Sequence, residues 1–125
     1  MEKILMIGLG GFLGAILRFW VGGLVFEATH VSGFPLGTLA VNLLGAFILG
    51  GLSGAFHLFE PHSQLWFFLT TGTLGAFTTF STFSVEPLNL IQEGHPGRAL
   101  LYLTVSVLGG LLLAAAGFYT GRHLN

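Results

Sequence analysis

Residues 4–26, 36–58, 65–92 and 98–119 form four predominantly apolar runs joined by short polar links. About 20 helical residues cross the roughly 30 Å hydrocarbon core of a bilayer, so each run predicts a spanning helix. Few folds are open to such a chain, because backbone polar groups in lipid must be satisfied inside helices or closed barrels. Composition agrees: 53% of the 125 residues are hydrophobic and 7% are charged, against about a quarter charged in an average soluble domain. The expected class is an all-α membrane protein, one four-helix transmembrane domain over residues 1–125, with a lipid bilayer as its surroundings. Met1-Glu2-Lys3 before an apolar run has the outline of a signal peptide. The run continues past Gly14, too long for a signal h-region, and is read as the first span.

The chain has no cysteine, which excludes a disulfide framework, a thiolate metal site and a Cys nucleophile. Its net charge of -1 and the lack of a basic run exclude nucleic acid as a partner. The histidines, His30, His57, His62, His95 and His123, scatter over links and helix ends, and the five-residue spacing of His57 and His62 is not that of a helical metal pair. Gly8-Leu9-Gly10-Gly11 lacks the preceding strand and third glycine of a dinucleotide loop. No nucleophile and base come together, so an enzyme is not expected.

Polar residues inside the runs are therefore informative. Gly10 and Gly14 have the spacing that lets a neighbouring helix approach closely, and Gly45, Gly50 and Gly54 repeat the feature in the second run. Arg18 lies toward the far end of the first run. Either it snorkels to the interface or it attracts an anion at a pore mouth. Asn42 needs partners in hydrocarbon, either as glue between helices or as a donor facing a pore. The links hold turn-compatible residues: Thr29, His30, Ser32, Gly33 and Pro35 in the first, Glu60-Pro61 in the second and Gly94-His95-Pro96-Gly97 in the third.

The third run carries a stretch unlike the others, Gly72 to Ser84, rich in hydroxyls, glycines and phenylalanines. Ser and Thr compete for backbone hydrogen bonds, and glycine lowers the cost of leaving helical geometry. A helix break at membrane depth is expected there, with Gly75 to Thr78 as its hinge. Such a break persists where it is buried in protein or lines a polar path. Phe77, Phe80 and Phe83 are spaced by three. Phe77 reads as packing, whereas Phe80 and Phe83 alternate with Thr79, Ser81 and Thr82. Aromatic rings have positive edges, so ring edges with hydroxyls and an amide suit a dehydrated small anion that must also leave. Carbonyls freed at the break can hold a cation.

Four spans place both ends of the domain on one side. Lys3 and Arg122 lie there, against Arg98 and the leaning Arg18 opposite. Orientation normally follows a Lys/Arg excess; a balance of two against two predicts insertion both ways and an antiparallel homodimer, the break of the third run lying near the shared interface.

Gly37-Thr38-Leu39 with Asn42, and Gly75 through Thr78-Thr79-Phe80-Ser81-Thr82-Phe83-Ser84, resemble the signature motifs of the Fluc/CrcB family, and Gly11 to Gly14 followed by Arg18 fits its first helix. The likeness spans all four runs. It implies a fluoride channel, an antiparallel dual-topology homodimer with two pores, in a bacterial inner membrane. It further implies that Phe80 and Phe83 contact fluoride and that Asn42 lines the pore. Ser81 and Thr82 would supply hydroxyls, Arg18 would stand near the vestibule and Glu86 below the phenylalanines. Gly75 and Thr78 would offer carbonyls to a central structural sodium ion (Na+). The fourth helix usually carries a polar track at i, i+4 spacing; here Tyr102 and Ser106 are followed by Gly110 and Ala114. Pro87 is a further local oddity. Competing readings are a small proton-coupled multidrug exporter using Glu86 and a structural membrane subunit that transports nothing.

Overall fold

The computed structural model describes residues 1–29, 33–60 and 62–124. His30, Ser32 and Pro61, expected in turns, lie outside the described residues. Among those described, all regular structure is helical. Helix α1 is Glu2–Thr29 and α2 is Leu36–Gly54, followed by a 3₁₀ turn at Phe56–Leu58. The third run falls into pieces: α3 at Gln64–Phe67, a π-helical stretch at Phe68–Leu74, α4 at Gly75–Phe77, then α5 at Phe80–Gln92. Helix α6, Pro96–Arg122, completes the bundle, with Pro96 in the first turn, where its missing N–H removes no helical bond.

Three of these helices, α1, α2 and α6, are long and apolar enough to cross a membrane. The third run is not one continuous span. α1 reaches Thr29, three residues beyond its expected end, whereas α2 stops at Gly54, before the expected Leu58. Glycines at 50, 51 and 54 weaken that last turn. Two of them are fixed by packing: a Cβ on Gly50 would strike the Ala114 carbonyl, and one on Gly54 the Phe118 carbonyl. Gly117 and Gly121 of α6 return the arrangement against the Phe47 and Gly51 carbonyls. The α2–α6 seam is thus backbone on backbone, as small residues allow in membranes.

The π-helical winding has a similar cause. Gly10 and Gly14 press α1 onto the Phe68 and Thr73 carbonyls, and Gly72 answers against the Ile7 carbonyl. Thr73 Oγ1 donates to the carbonyl five residues back, at Phe68, over 2.9 Å. Such wide turns mark sites where the ordinary ladder is locally interrupted. The buried core is small, built on Val41, Leu74 and Phe77 with Leu17, Val21 and Leu52 around it. Large apolar side chains face outward instead, among them Phe19 at 85% exposure and Leu112 at 71%. That pattern suits a lipid-facing surface.

Candidate functional site: a broken helix between two cavities

The break falls at Thr78 and Thr79. Thr78 has φ -82° and ψ 159°, and Thr79 has φ -145° and ψ 121°, both extended. Gly75, expected to open the hinge, is the first residue of α4 and helical; the chain leaves helical geometry at the threonines, whose β-branched side chains favour extended backbone. Thr78 Oγ1 still donates to the Leu74 carbonyl at 3.0 Å. Gly45 of α2 has no side chain to keep the Thr78 methyl and the Phe77 ring away, so the break lies directly on α2.

Asn42 meets the break from α2. Its Nδ2 donates to the Thr79 carbonyl at 3.1 Å, and its Oδ1 accepts from the Thr79 N–H at 2.8 Å. Thr79 then caps α5: its Oγ1 accepts from the Thr82 N–H at 3.3 Å and donates to Thr82 Oγ1 at 3.1 Å. In a continuous helix the Thr79 N–H would bond the Gly75 carbonyl, and the Thr82 N–H the Thr78 carbonyl. Both donors are taken elsewhere, so the helical partners of these two carbonyls are gone. These are the carbonyls the resemblance assigns to a sodium ion, and neutral backbone oxygens at an unwound helix suit a hard monovalent cation. No cluster of three or more His, Cys, Asp or Glu is present among the described residues.

One helical turn before Asn42, Thr38 Oγ1 donates to Glu86 Oε1 at 2.6 Å, and Tyr102 of α6 donates to Glu86 Oε2 at 2.6 Å. Each carboxyl oxygen accepts one short hydrogen bond. Glu86 thereby ties α2, α5 and α6 together. Tyr102 is fully buried and joins a row of rings. Phe80 and Phe83 have centroids 5.7 Å apart, Phe83 and Tyr102 5.8 Å, and Tyr102 meets Phe34 edge-on at 5.9 Å.

Two cavities flank the break. One of about 350 Å³ is lined by Arg18, Thr38, Thr79, Thr82 and Glu86 among others. The other, about 440 Å³, is lined by Asn42, Thr78, Thr79, Phe80, Phe83 and Ser106, with Gly75 and Gly110 beside them. Ser106 Oγ is buried with no hydrogen-bond partner among the described residues. The structure thus groups Arg18, Thr82 and Glu86 on one side of Thr79, and Asn42, Phe80, Phe83 and Ser106 on the other. Ser81 and Tyr102 line neither cavity. Phe77 belongs to the core. Gly110 borders the second cavity, and a Cβ there would meet nothing within 4 Å, whereas the Ala114 backbone lies against Gly50 in the α2–α6 seam. Thr38 and Phe34 join the site without a role assigned from sequence, and Thr79, read there as one of the hydroxyls among the phenylalanines, is the cap of α5; Thr38 is findable from its i, i+4 spacing to Asn42 and the capping role of Thr79 from its position before α5.

The family model for CrcB-like protein, Camphor Resistance (CrcB), matches residues 5–118. The chain belongs to the CrcB family. Relatives support the assignment over nearly the whole length. A Nautilia profundicola protein named Fluoride-specific ion channel FluC is 45% identical over 120 residues, 94% of this chain and 91% of the relative. Proteins of the same name from Thermus thermophilus and Methanocaldococcus jannaschii are 44% and 45% identical, over 99% and 98% of this chain and 98% and 94% of theirs. The resemblance drawn from Thr38, Asn42 and the Gly75 to Ser84 stretch therefore holds, and the CrcB match takes in the break, both cavities and the Glu86 junction.

Proposed function

We propose that this protein is a fluoride-selective channel that lets fluoride leave the cell passively, and that it is not an enzyme. The observation that carries the reading is the second cavity. Two phenylalanine rings, an amide and a serine hydroxyl line it, with no Lys or Arg beside them. Ring edges and dipoles attract an anion without the lasting hold of a full positive charge. The relatives named Fluoride-specific ion channel FluC supply the identity of the ion.

In this reading Arg18 draws the anion into the first cavity, where Thr82 offers a hydroxyl. Phe80, Phe83, Asn42 and Ser106 receive it beyond the break. Ser81, at the exposed start of α5, stands outside both cavities, and Tyr102, behind Phe83, acts with Glu86 to fix the junction below the rings. The domain forms four membrane spans over residues 1–125, the third broken, and two copies pair antiparallel in a bacterial inner membrane with two pores. Phe80, 80% exposed beside its cavity, is supported by such pairing. A second copy would also double the Gly75 and Thr78 carbonyls around a shared structural sodium ion, whose positive charge would hold the two breaks together.

Fluoride efflux from proteoliposomes tests the reading. Phe80→Ile and Phe83→Ile are each expected to slow efflux at least about tenfold, the loss of roughly one good contact, with assembly intact. Normal efflux in both variants would refute the assignment.

A further inference from the structure

We propose that Asn42 is the positioning residue that keeps the third helix broken. The inference rests on the channel reading for its transport assay and on geometry for its substance. The Asn42 carboxamide pairs with both the N–H and the C=O of Thr79, at 2.8 and 3.1 Å. This is the exchange two strand residues make with each other, here made by a side chain. It supplies an extended residue with the partners that lipid cannot offer.

The competing state is a healed helix. Returning the Thr79 N–H to the Gly75 carbonyl would rejoin α4 to α5. It would cover the Gly75 oxygen and dismantle the Thr79 cap on Thr82. Asn42 holds the chain out of that state. The same pair sits on the wall between the two cavities: Thr79 borders both, Asn42 borders the second, and Thr38, one turn away, borders the first. One side chain therefore sets three features together: the Gly75 carbonyl parted from its helical donor, the start of α5 that carries Phe80, and the partition an anion must pass. Among the described residues Nδ2 has the Thr79 carbonyl as its one partner, which leaves its second hydrogen to the second cavity.

A carboxyl at position 42 separates this role from that of a simple donor. Ionised, it accepts from the Thr79 N–H but cannot donate to the Thr79 C=O; protonated, it does both. Charged and titratable groups near the site are Glu86 on α5, Arg18 on α1 and Tyr102 on α6; α2, the π-helical stretch and α4 contribute none. All three are also present in the unmodified protein, whose own pH profile is the reference.

The experiment combines fluoride efflux across mildly alkaline to mildly acidic pH with solid-state NMR of Thr78 and Thr79 in the bilayer. In the unmodified protein the Thr79 amide proton should correlate with the Asn42 carboxamide, and the Thr79 ¹³C shifts should be extended. Asn42→Leu should give helical Thr79 shifts and efflux at least about tenfold slower at every pH. Asn42→Asp should be slow at alkaline pH and recover at least about threefold on acidification relative to the reference, its Thr79 shifts turning from mixed to extended. A missing Asn42–Thr79 correlation overturns the proposal, as does an extended Thr79 in Asn42→Leu or a pH profile of Asn42→Asp that parallels the reference. If the unmodified protein carries no fluoride, the channel reading fails, while the NMR arm still decides the role of Asn42.

Discussion

The Tyr102 phenol donates a 2.6 Å hydrogen bond to Glu86 Oε2 inside the bundle, and the opposite oxygen is held by Thr38. Tyr102→Phe keeps the ring against Phe34 and Phe83 but leaves one carboxylate oxygen without this donor. Glu86 is half-buried and borders the first cavity, so the loss is that of one hydrogen bond, about 0.5–1.5 kcal/mol, and the variant is expected to melt a few degrees lower. Glu86→Ala, which strands two hydroxyls and opens space, should melt lower still. Thermal unfolding in detergent followed by tryptophan fluorescence orders the three proteins.

The same junction bears on the exporter alternative. A proton-exchanging carboxylate must release its partners to bind a cation, whereas both oxygens of Glu86 are engaged. Fluoride efflux should therefore be unaffected by an imposed proton gradient once its electrical effect is clamped with valinomycin and potassium. Efflux that follows the proton gradient under clamp would contradict a passive channel, and proton-coupled uptake of an organic cation in place of fluoride flux would favour the exporter.

Glycines differ sharply in what they tolerate. Gly54 and Gly121 pack against carbonyls across the α2–α6 seam, and Gly14 against the Thr73 carbonyl, while Gly8 and Gly11 face open space. Gly54→Ala, Gly121→Ala and Gly14→Ala should each destabilise by about 1–3 kcal/mol through overpacking. Gly8→Ala should be neutral or slightly stabilising, since alanine is the better helix former. Gel filtration and melting of the purified variants measure both groups.

Thr79 serves as the cap of α5. Thr79→Val preserves branching but removes the oxygen bonded to the Thr82 N–H, and a lost cap costs about 1 kcal/mol. Thr79→Ser should retain stability and efflux. The pair, compared by melting and by flux, separates the hydroxyl from the methyl.

Dual topology is open to a direct count. The absence of native cysteine leaves a clean background. A single cysteine beside Lys3, in a variant that keeps the lysine, should react with an external impermeant maleimide in about half of the molecules, as a balanced charge count requires. Labelling of all or none would contradict the antiparallel arrangement.

Much of this is legible in the sequence. The three long helices follow from apolar length, and the glycine seams from spacing, because both are local properties of the chain. Sequence places the break in the right stretch yet opens it at Gly75, one helical turn early: glycine permits a departure from helix, but the partner that stabilises it decides where it occurs. That partner, Asn42, lies 37 residues upstream of Thr79, and its two-point pairing is a tertiary fact with no local signal. The π-helical winding is likewise invisible in the sequence, since it depends on how closely α1 approaches. The aromatic row from Phe80 to Phe34 needs the fold to bring a link, α5 and α6 together.

The central claim is selective fluoride conduction through this chain. Reconstituted at low density in liposomes loaded with equal fluoride and chloride, the protein should release fluoride rapidly on addition of valinomycin while chloride stays inside, as read by paired ion-selective electrodes. Equal release of the two anions, or no fluoride release from vesicles shown to contain folded protein, would contradict the account.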